Sequence, residues 1–404
     1  MSGLLEGIHV VEFAAHGVGP ICGLILANLG ADVIKIENPA GGDPTRGYER
    51  VGMVKVPPGG HTIVFEFTNR QKRSLTLDVS KPQGLEIIHK LIDNADVFFS
   101  NYLPKSLKRL GFDYETLSKR NPKLVYAASS SFGKYGPDNN KGAFDSMALA
   151  RSGLMMAAGE ANTPPVEIRG TIADNLGGTM LAFGVVSGIL ARERLGVGQE
   201  IDSSLFGPLI WLQMWNIGQV LVGSPPMERE SRTKPQNPIL GNYKCKDGRW
   251  LKLNAYQTDP IWAEFCQVLN LGSIEKDPRF TDQVKRAANS EELVKILDQK
   301  FLEKARGEWV EYFKSKNVAF MYEEIKGVDE LSTDPQALAN NYIMDEDHPA
   351  LGHIKSVMFP LHFSKTGVSS LKPAPQLGEH TEQILKEIGY KPEQIAQFKK
   401  DKII

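Results

Sequence analysis

Residues 8–37 decide how the chain is read: Ile8-His9-Val10-Val11-Glu12-Phe13-Ala14-Ala15-His16-Gly17-Val18-Gly19-Pro20-Ile21-Cys22-Gly23-Leu24-Ile25-Leu26-Ala27-Asn28-Leu29-Gly30-Ala31-Asp32-Val33-Ile34-Lys35-Ile36-Glu37. The β-branched run 8–13 reads as a strand. Residues 20–29 read as a helix, with Pro20 at the favoured first position and Gly30 at the stop. Residues 33–37 return to a strand. Two strands joined through a helix predict a parallel pair, since parallel strands need a crossover between them.

Outward from that unit the alternation continues. Strands are expected at 74–77, 95–99 and 124–128, with a helix over 81–93. A polar loop, 131–142, leads to a helical pattern near Asp145. A second long helix starts at Asp174, runs to about Leu195, and is broken by Gly196-Val197-Gly198-Gln199 before a short strand, 199–202. This is the signature of an α/β fold, a Rossmann-like domain on a parallel sheet. The longest apolar stretch, 205–222, contains Pro208, Gln213, Asn216 and Gln219, groups costly in hydrocarbon, and reads as a buried helix rather than a membrane span. From 223 the composition turns polar and proline-bearing. Tyr243-Lys244-Cys245 and Trp250-Leu251-Lys252-Leu253 then flank an Asp247-Gly248 turn, a hairpin signal. Helices follow over 261–269, 290–304 and 308–316, then strand-like residues 354–363 and a helix over 381–388.

At 404 residues the chain exceeds one ordinary hydrophobic core, so two domains are expected. Lys and Arg number 47 against 48 Asp and Glu, leaving no basic field for nucleic acid. Cys22, Cys245 and Cys266 are too scattered for a disulfide framework, and the N-terminus lacks the basic start and apolar run of a secretory signal; a cytoplasmic location with no membrane partner fits. The eight histidines show no metal-ligand spacing, so no metal is expected.

Two constellations carry chemistry. Gly17-Val18-Gly19-Pro20-Ile21-Cys22-Gly23, followed at a distance by Glu37, imitates a dinucleotide-binding turn. Pro20 removes one N–H and the third glycine falls one position late. A structural turn, or a site for another adenine nucleotide such as coenzyme A, fits better than NAD. The second is Thr171-Ile172-Ala173-Asp174-Asn175-Leu176-Gly177-Gly178-Thr179, where Asp174 at a helix start would accept backbone N–H bonds and be held ionised by the helix dipole. Beside Gly177 and Gly178, which leave room for a bulky acyl group, it can be a carboxylate nucleophile, although on spacing alone a plain helix cap is the commoner reading. Lys72, Arg73, Lys105, Lys108, Arg109 and Lys141 are cations suited to phosphates or to solvent, with Arg109 best placed. His16, beside the glycine turn, stands out among the histidines, although a solvated loop histidine reads as well. There is no G-x-S-x-G elbow and no phosphate-binding G-x-x-x-x-G-K-[ST] loop.

Gly30 to Glu37, Gly42-Asp43-Pro44-Thr45-Arg46-Gly47, Asn101-Tyr102 with Arg109-Leu110-Gly111-Phe112, Asp174-x-x-Gly177-Gly178, Gly196-x-Gly198-Gln199 and Leu377-Gly378-Glu379-His380-Thr381 together resemble the family III coenzyme A transferases, over nearly the whole chain. The resemblance implies a large domain of residues 1–222 completed by 329–404, a small α+β domain of 223–328, and two identical chains interlocked as rings. It implies acyl-CoA and carboxylic acid substrates and no tightly bound cofactor. Asp174 would attack a donor thioester to give a mixed anhydride and free CoA thiolate. Coenzyme A contacts would fall at Gly17, Val18, Asn38, Leu77, Asn101, Tyr102, Arg109, Lys141, Gly142 and Phe144, with His16, Gly177 and Gly178 in the substrate and oxyanion region. Gly17 departs from the glutamine of formyl-CoA transferase, and that enzyme's glycine-rich lid has no counterpart around 235–242, so oxalate and formate are poor guesses as substrates. Tyr243 to Trp250 and Asp334 to Asn340 are more similar to transferases for branched or aromatic 2-hydroxyacids. The related α-methylacyl-CoA racemases carry Gly-His-Asp where this chain has Ala143-Phe144-Asp145, and Phe144 carries no proton. An NAD-dependent dehydrogenase and a catalytically silent subunit are the remaining alternatives.

Overall fold

The structure, a computed structural model, describes residues 3–48, 50–51, 54–55, 62–367 and 372–404. It divides into two compact units, one of residues 1–156, 167–226 and 341–404, the other of residues 157–166 and 227–340.

In the first unit β1 (His9–Phe13), α1 (Val18–Asn28) and β2 (Asp32–Glu37) form where the opening stretch predicts them. They are followed by α2 (Ile63–Asn69), β3 (Arg73–Thr76), α3 (Pro82–Ile92), β4 (Val97–Ser100), α4 (Pro104–Leu110), α5 (Tyr114–Arg120) and β5 (Val125–Ser130). After the polar loop come α6 (Asp145–Arg151), α7 (Ile172–Leu195), β6 (Gln199–Ser204), α8 (Phe206–Leu212) and α9 (Met214–Leu221). The six strands form one sheet in the order β3-β2-β1-β4-β5-β6 with every pair parallel. Strand order reverses between β1 and β4. In doubly wound sheets the ligand crevice lies outside the carboxyl ends of the strands at that point.

Both faces of the sheet are covered, so β4 is buried throughout and β1 almost so. Val11, Ile34, Leu75 and Phe98 point into one core with Ile88 and Leu117; Val10, Val33, Val97 and Phe99 point into the other with Leu26, Leu181 and Val185. α7 is long and apolar enough to cross a membrane by length and composition, yet Gly177, Gly178, Leu181, Ala182, Val185, Gly188 and Ile189 are buried. A methyl group on Gly188 would come within 2.8 Å of Val125, and one on Gly178 within 2.7 Å of Ile21. The helix therefore rides unusually close on the sheet and on α1.

The second unit is an antiparallel sheet, β9-β8-β7, of β7 (Asn242–Lys244), β8 (Trp250–Asn254) and β9 (Met321–Ile325), with the Asp247-Gly248 hairpin joining the first two. Helices α10 (Trp262–Val268), α11 (Ser290–Phe301) and α12 (Arg306–Lys316) surround an aromatic core containing Tyr243, Phe265, Phe301, Trp309 and Phe313. The tail then supplies the first unit with a hairpin, β10 (Ile343–His348) and β11 (Gly352–Val357), and helices α13 (Thr381–Glu387) and α14 (Pro392–Lys400). It is pinned where Thr76 N donates to Thr381 Oγ1 (3.1 Å) and Asp78 N to Ile403 O (2.7 Å).

Three expectations change. Residues 329–340 stay with the second unit rather than the tail, because Glu330 pairs with Arg306 and Asp334 with Lys326. Residues 157–166 also join that unit, held by Arg229 through Thr163 O (2.6 Å) and Ala158 O (3.3 Å), and the first junction falls at 226 rather than 222. Residues 205–222 are two helices, not one buried helix. Gln213 interrupts them, its amide turned back to Ser152 O (3.0 Å) and Leu209 O (3.1 Å), and α9 buries no residue.

Candidate active site

The carboxyl end of β1 turns through Ala14 to Gly17 into α1, and three side chains from two strands and their loops grip that turn. From the end of β4, Asn101 donates Nδ2–H to Ala15 O (2.7 Å) and accepts from Ala15 N (3.0 Å), using its amide as a strand partner would. From the loop after β2, Asp43 Oδ1 accepts from His16 N (3.3 Å). Lys35 of β2 donates to Ala14 O (2.9 Å). Held in this way, His16 adopts a left-handed φ of 67°. Its ring packs edge-on to Phe144, 5.7 Å between centroids, and its Nδ1 lies 3.3 Å from Tyr48 Oη.

Asp174 sits over this turn. The expectation of a helix beginning at Asp174 is corrected: α7 begins at Ile172, with Thr171 as its cap residue, so Asp174 lies inside the first turn. Its Oδ1 accepts from Val18 N (3.2 Å), and its own N–H is taken by Asp145 Oδ1 (3.0 Å) from the start of α6. A Cβ at position 17 would lie 2.4 Å from Asp174 Cγ and 2.5 Å from Oδ2, so only glycine lets the carboxylate settle there. The expectation that its surroundings favour the ionised form is also reversed. Burial first, then repulsion from Asp145, lifts its pKa from 3.8 to about 6, against a smaller lowering by the Val18 N–H.

Gly177 and Gly178 do not open a space for substrate. Both are buried, and methyl groups there would meet Val18 Cγ2 at 3.1 Å and Ile21 Cγ2 at 2.7 Å. Their part is indirect: they let α7 close on α1, which brings Asp174 to Gly17 and Val18.

Of the residues expected at coenzyme A, Tyr102 packs against Phe13 with the ring planes tilted (4.7 Å between centroids) and its side chain partly exposed. Phe144 is 68% exposed. Arg109 is an exposed cation on α4, and Lys141 is exposed with its ammonium 5.7 Å from the Phe132 ring centre. Lys105 N donates to Asn140 Oδ1 (3.2 Å), tying the start of α4 to the loop that carries Lys141 and Gly142. Asn38 is exposed after β2, with Oδ1 accepting from Ala40 N (2.8 Å). Leu77, also expected there, has its side chain buried in the core at 1% exposure, which leaves only its main chain for such a contact. Lys72, read as a phosphate ligand or surface cation, is buried and paired with Glu12 at 2.8 Å.

Sequence reasoning overlooked Asp145 and the buried charges Glu12, Lys35 and Asp43. One signal was present for two of them: Glu12 and Lys35 interrupt apolar runs that must be buried on both faces, where a lone charge is costly.

Residues 5–381 match the model of CoA-transferase family III. The chain is 32% identical to (R)-2-hydroxy-4-methylpentanoate CoA-transferase of Clostridioides difficile over 99% of both proteins, and 31% identical to succinyl-CoA:glutarate CoA-transferase of Mus musculus over 95% of this chain and 86% of that one. A solved CAIB/BAIF family protein from Brucella suis superimposes with a TM-score of 0.86 at 28% identity, covering 96% of this chain and all of that one. The chain belongs to CoA-transferase family III and is a transferase.

Proposed function

We propose that the protein moves coenzyme A from an acyl-CoA donor to a carboxylic acid through successive acyl bonds to Asp174. The observation that carries this reading is the seat of the Asp174 carboxylate at the strand-order reversal, over Gly17 and against the Val18 N–H. A carboxylate of pKa about 6 is still largely ionised at neutral pH and is more basic than an ordinary aspartate, so it is the better nucleophile.

One Asp174 oxygen attacks the thioester carbonyl, the C–S bond breaks, and CoA leaves as thiolate, giving a mixed anhydride. The thiolate attacks the aspartyl carbonyl and expels the donor carboxylate, giving an aspartyl-CoA thioester. The acceptor carboxylate attacks that thioester, forming a second anhydride and CoA thiolate again. Thiolate attack on the acceptor carbonyl then releases the new acyl-CoA and restores Asp174. Each tetrahedral step builds oxyanion charge, for which backbone N–H groups of the glycine turn are the donors we propose. Arg109 and Lys141 suit the phosphates of coenzyme A, and Tyr102 and Phe144 offer ring faces for its adenine.

A branched 2-hydroxyacid is the acceptor class we favour, supported by the name of the Clostridioides difficile relative. We also propose that two identical chains associate. Trp215, Leu221 and Val222 are each at least 80% exposed, a large apolar surface for a lone soluble chain. Sedimentation at micromolar concentration should give twice the chain mass of 44.7 kDa; a monomer throughout would remove this part.

The decisive test is chemical. The enzyme is incubated with acyl-CoA and quenched with hydroxylamine or borohydride, and the modified residue is mapped by mass spectrometry. Modification at Asp174, lost in Asp174→Ala together with transfer, supports the mechanism. Turnover with no adduct at Asp174 refutes it.

A further inference from the structure

Beneath the turn that receives Asp174 lies a closed set of four buried charges. Lys35 Nζ donates to Glu12 Oε1 (2.9 Å) and Ala14 O (2.9 Å) and forms an ion pair with Asp43 Oδ2 (2.9 Å). Lys72 Nζ likewise reaches Glu12 Oε2 (2.8 Å), Asn69 Oδ1 (2.9 Å) and Pro20 O (2.8 Å). All four charged side chains are at most 3% exposed. The set is neutral in sum.

The geometry shows what the set holds. Lys35 grips Ala14 directly and, through Asp43, the N–H of His16; Lys72 grips Pro20, inside the first turn of α1. Gly17 and Val18, the two residues that touch Asp174, lie between these anchor points. Asp43 is itself aimed, since its Oδ1 also takes Thr45 Oγ1–H (2.7 Å) and Thr45 N–H (2.9 Å). Gly23, the late third glycine of the turn motif, belongs to the same construction: a Cβ there would fall 2.0 Å from Glu12 Oε2 and 3.0 Å from Lys72 Nζ. Its bare backbone is the room in which the Glu12–Lys72 pair is built, so the motif is explained without any nucleotide. Buried ion sets of this kind are poor sources of stability compared with apolar packing, and where they persist, fixing one geometry is a reason for keeping them.

We propose that Glu12, Lys35, Asp43 and Lys72 form a positioning device that fixes the backbone of residues 14–20 and thereby sets the meeting of the Val18 N–H with Asp174. The device touches no substrate. It acts on the rate of forming the Asp174 acyl bond, and in that sense it rests on the reading of Asp174 as nucleophile.

The test compares wild type with Asp43→Ala, Asp43→Asn and Thr45→Val in single-turnover acylation, using the fastest donor among acetyl-, isovaleryl- and succinyl-CoA, with hydroxylamine trapping and thermal melts. Loss of the hold on His16 in Asp43→Ala is expected to slow acylation by about tenfold to a hundredfold, the effect of a small misplacement of reacting groups, with KM for the donor nearly unchanged. Asp43→Asn keeps an acceptor for His16 and should lose less. Thr45→Val, which only unsteers Asp43, should lose a few-fold and serves where Asp43→Ala does not fold. Variants that melt lower but acylate Asp174 at the wild-type rate would make the set purely structural and overturn the proposal. A wild type that turns over with no adduct at Asp174 would overturn the nucleophile reading, and this one with it.

Discussion

Replacing Asp174, the proposed nucleophile, by its neutral isostere should make the protein more stable as it becomes inactive. In Asp174→Asn the side chain keeps its shape and an oxygen to accept from Val18 N–H, and presents an amide where the carboxylate was repelled by Asp145. A carboxyl lifted from 3.8 to about 6 costs the folded state, when ionised, about 3 kcal/mol, at about 1.4 kcal/mol per tenfold. Because the group is not wholly shielded from water, about 2 kcal/mol is the better expectation. The sign follows from where the proton is held. The folded protein keeps it up to about pH 6 and the unfolded chain only to about 3.8, so the stabilisation linked to protonation is complete below 3.8 and lost as pH rises through 6. Wild type and variant should therefore unfold alike near pH 4. By pH 7.5 the variant should need more urea and melt a few degrees higher. Urea titrations from pH 4 to 8 on both proteins check this. A gap that does not widen with pH, or a wild type more stable at pH 7.5, would refute the account of the strained carboxylate.

Three further outcomes follow from the same geometry. The turnover of the wild type should fall below about pH 6 as Asp174 takes up its proton, and Asp145→Asn, which removes the repelling charge but keeps an acceptor for Asp174 N–H, should move that limb to lower pH; kcat against pH measures both. Gly178→Ala should lower stability by about 1–3 kcal/mol through overpacking against Ile21, and slow acylation by lifting Asp174, as melts and trapping rates will show. Arg109→Ala, the loss of one exposed cation, should raise KM for the acyl-CoA about tenfold while leaving the melt unchanged; an unaltered KM would move the phosphates elsewhere.

The alternation of strands and helices in the first two hundred residues was legible because a sheet covered on both faces writes itself as β-branched runs, and β1, α1 and β2 fall within a few residues of their expected bounds. Asp174 was legible as a candidate but not in its environment. Its raised pKa comes first from the depth at which α7 buries it and then from Asp145, 29 residues away in sequence. Lys72 was misread for the same reason, since nothing local distinguishes a lysine that meets Glu12 across the sheet from one in water. Residues 205–222 were misjudged because apolar composition does not say what does the burying. Gln213, whose amide satisfies two carbonyls, breaks the helix, and the following turn faces outward.

The spacing between Asp174 and the turn beneath it is set by atoms that are missing. Glycines 177, 178 and 188 let one long rod settle against its neighbours, and the Asp174 carboxylate, a turn away, is carried to its station by that settling. A single carbon added at the far end of the rod would act as a shim and raise the whole helix. Damaging substitutions in this protein should thus cluster along the buried line of that rod as well as at the end that carries Asp174.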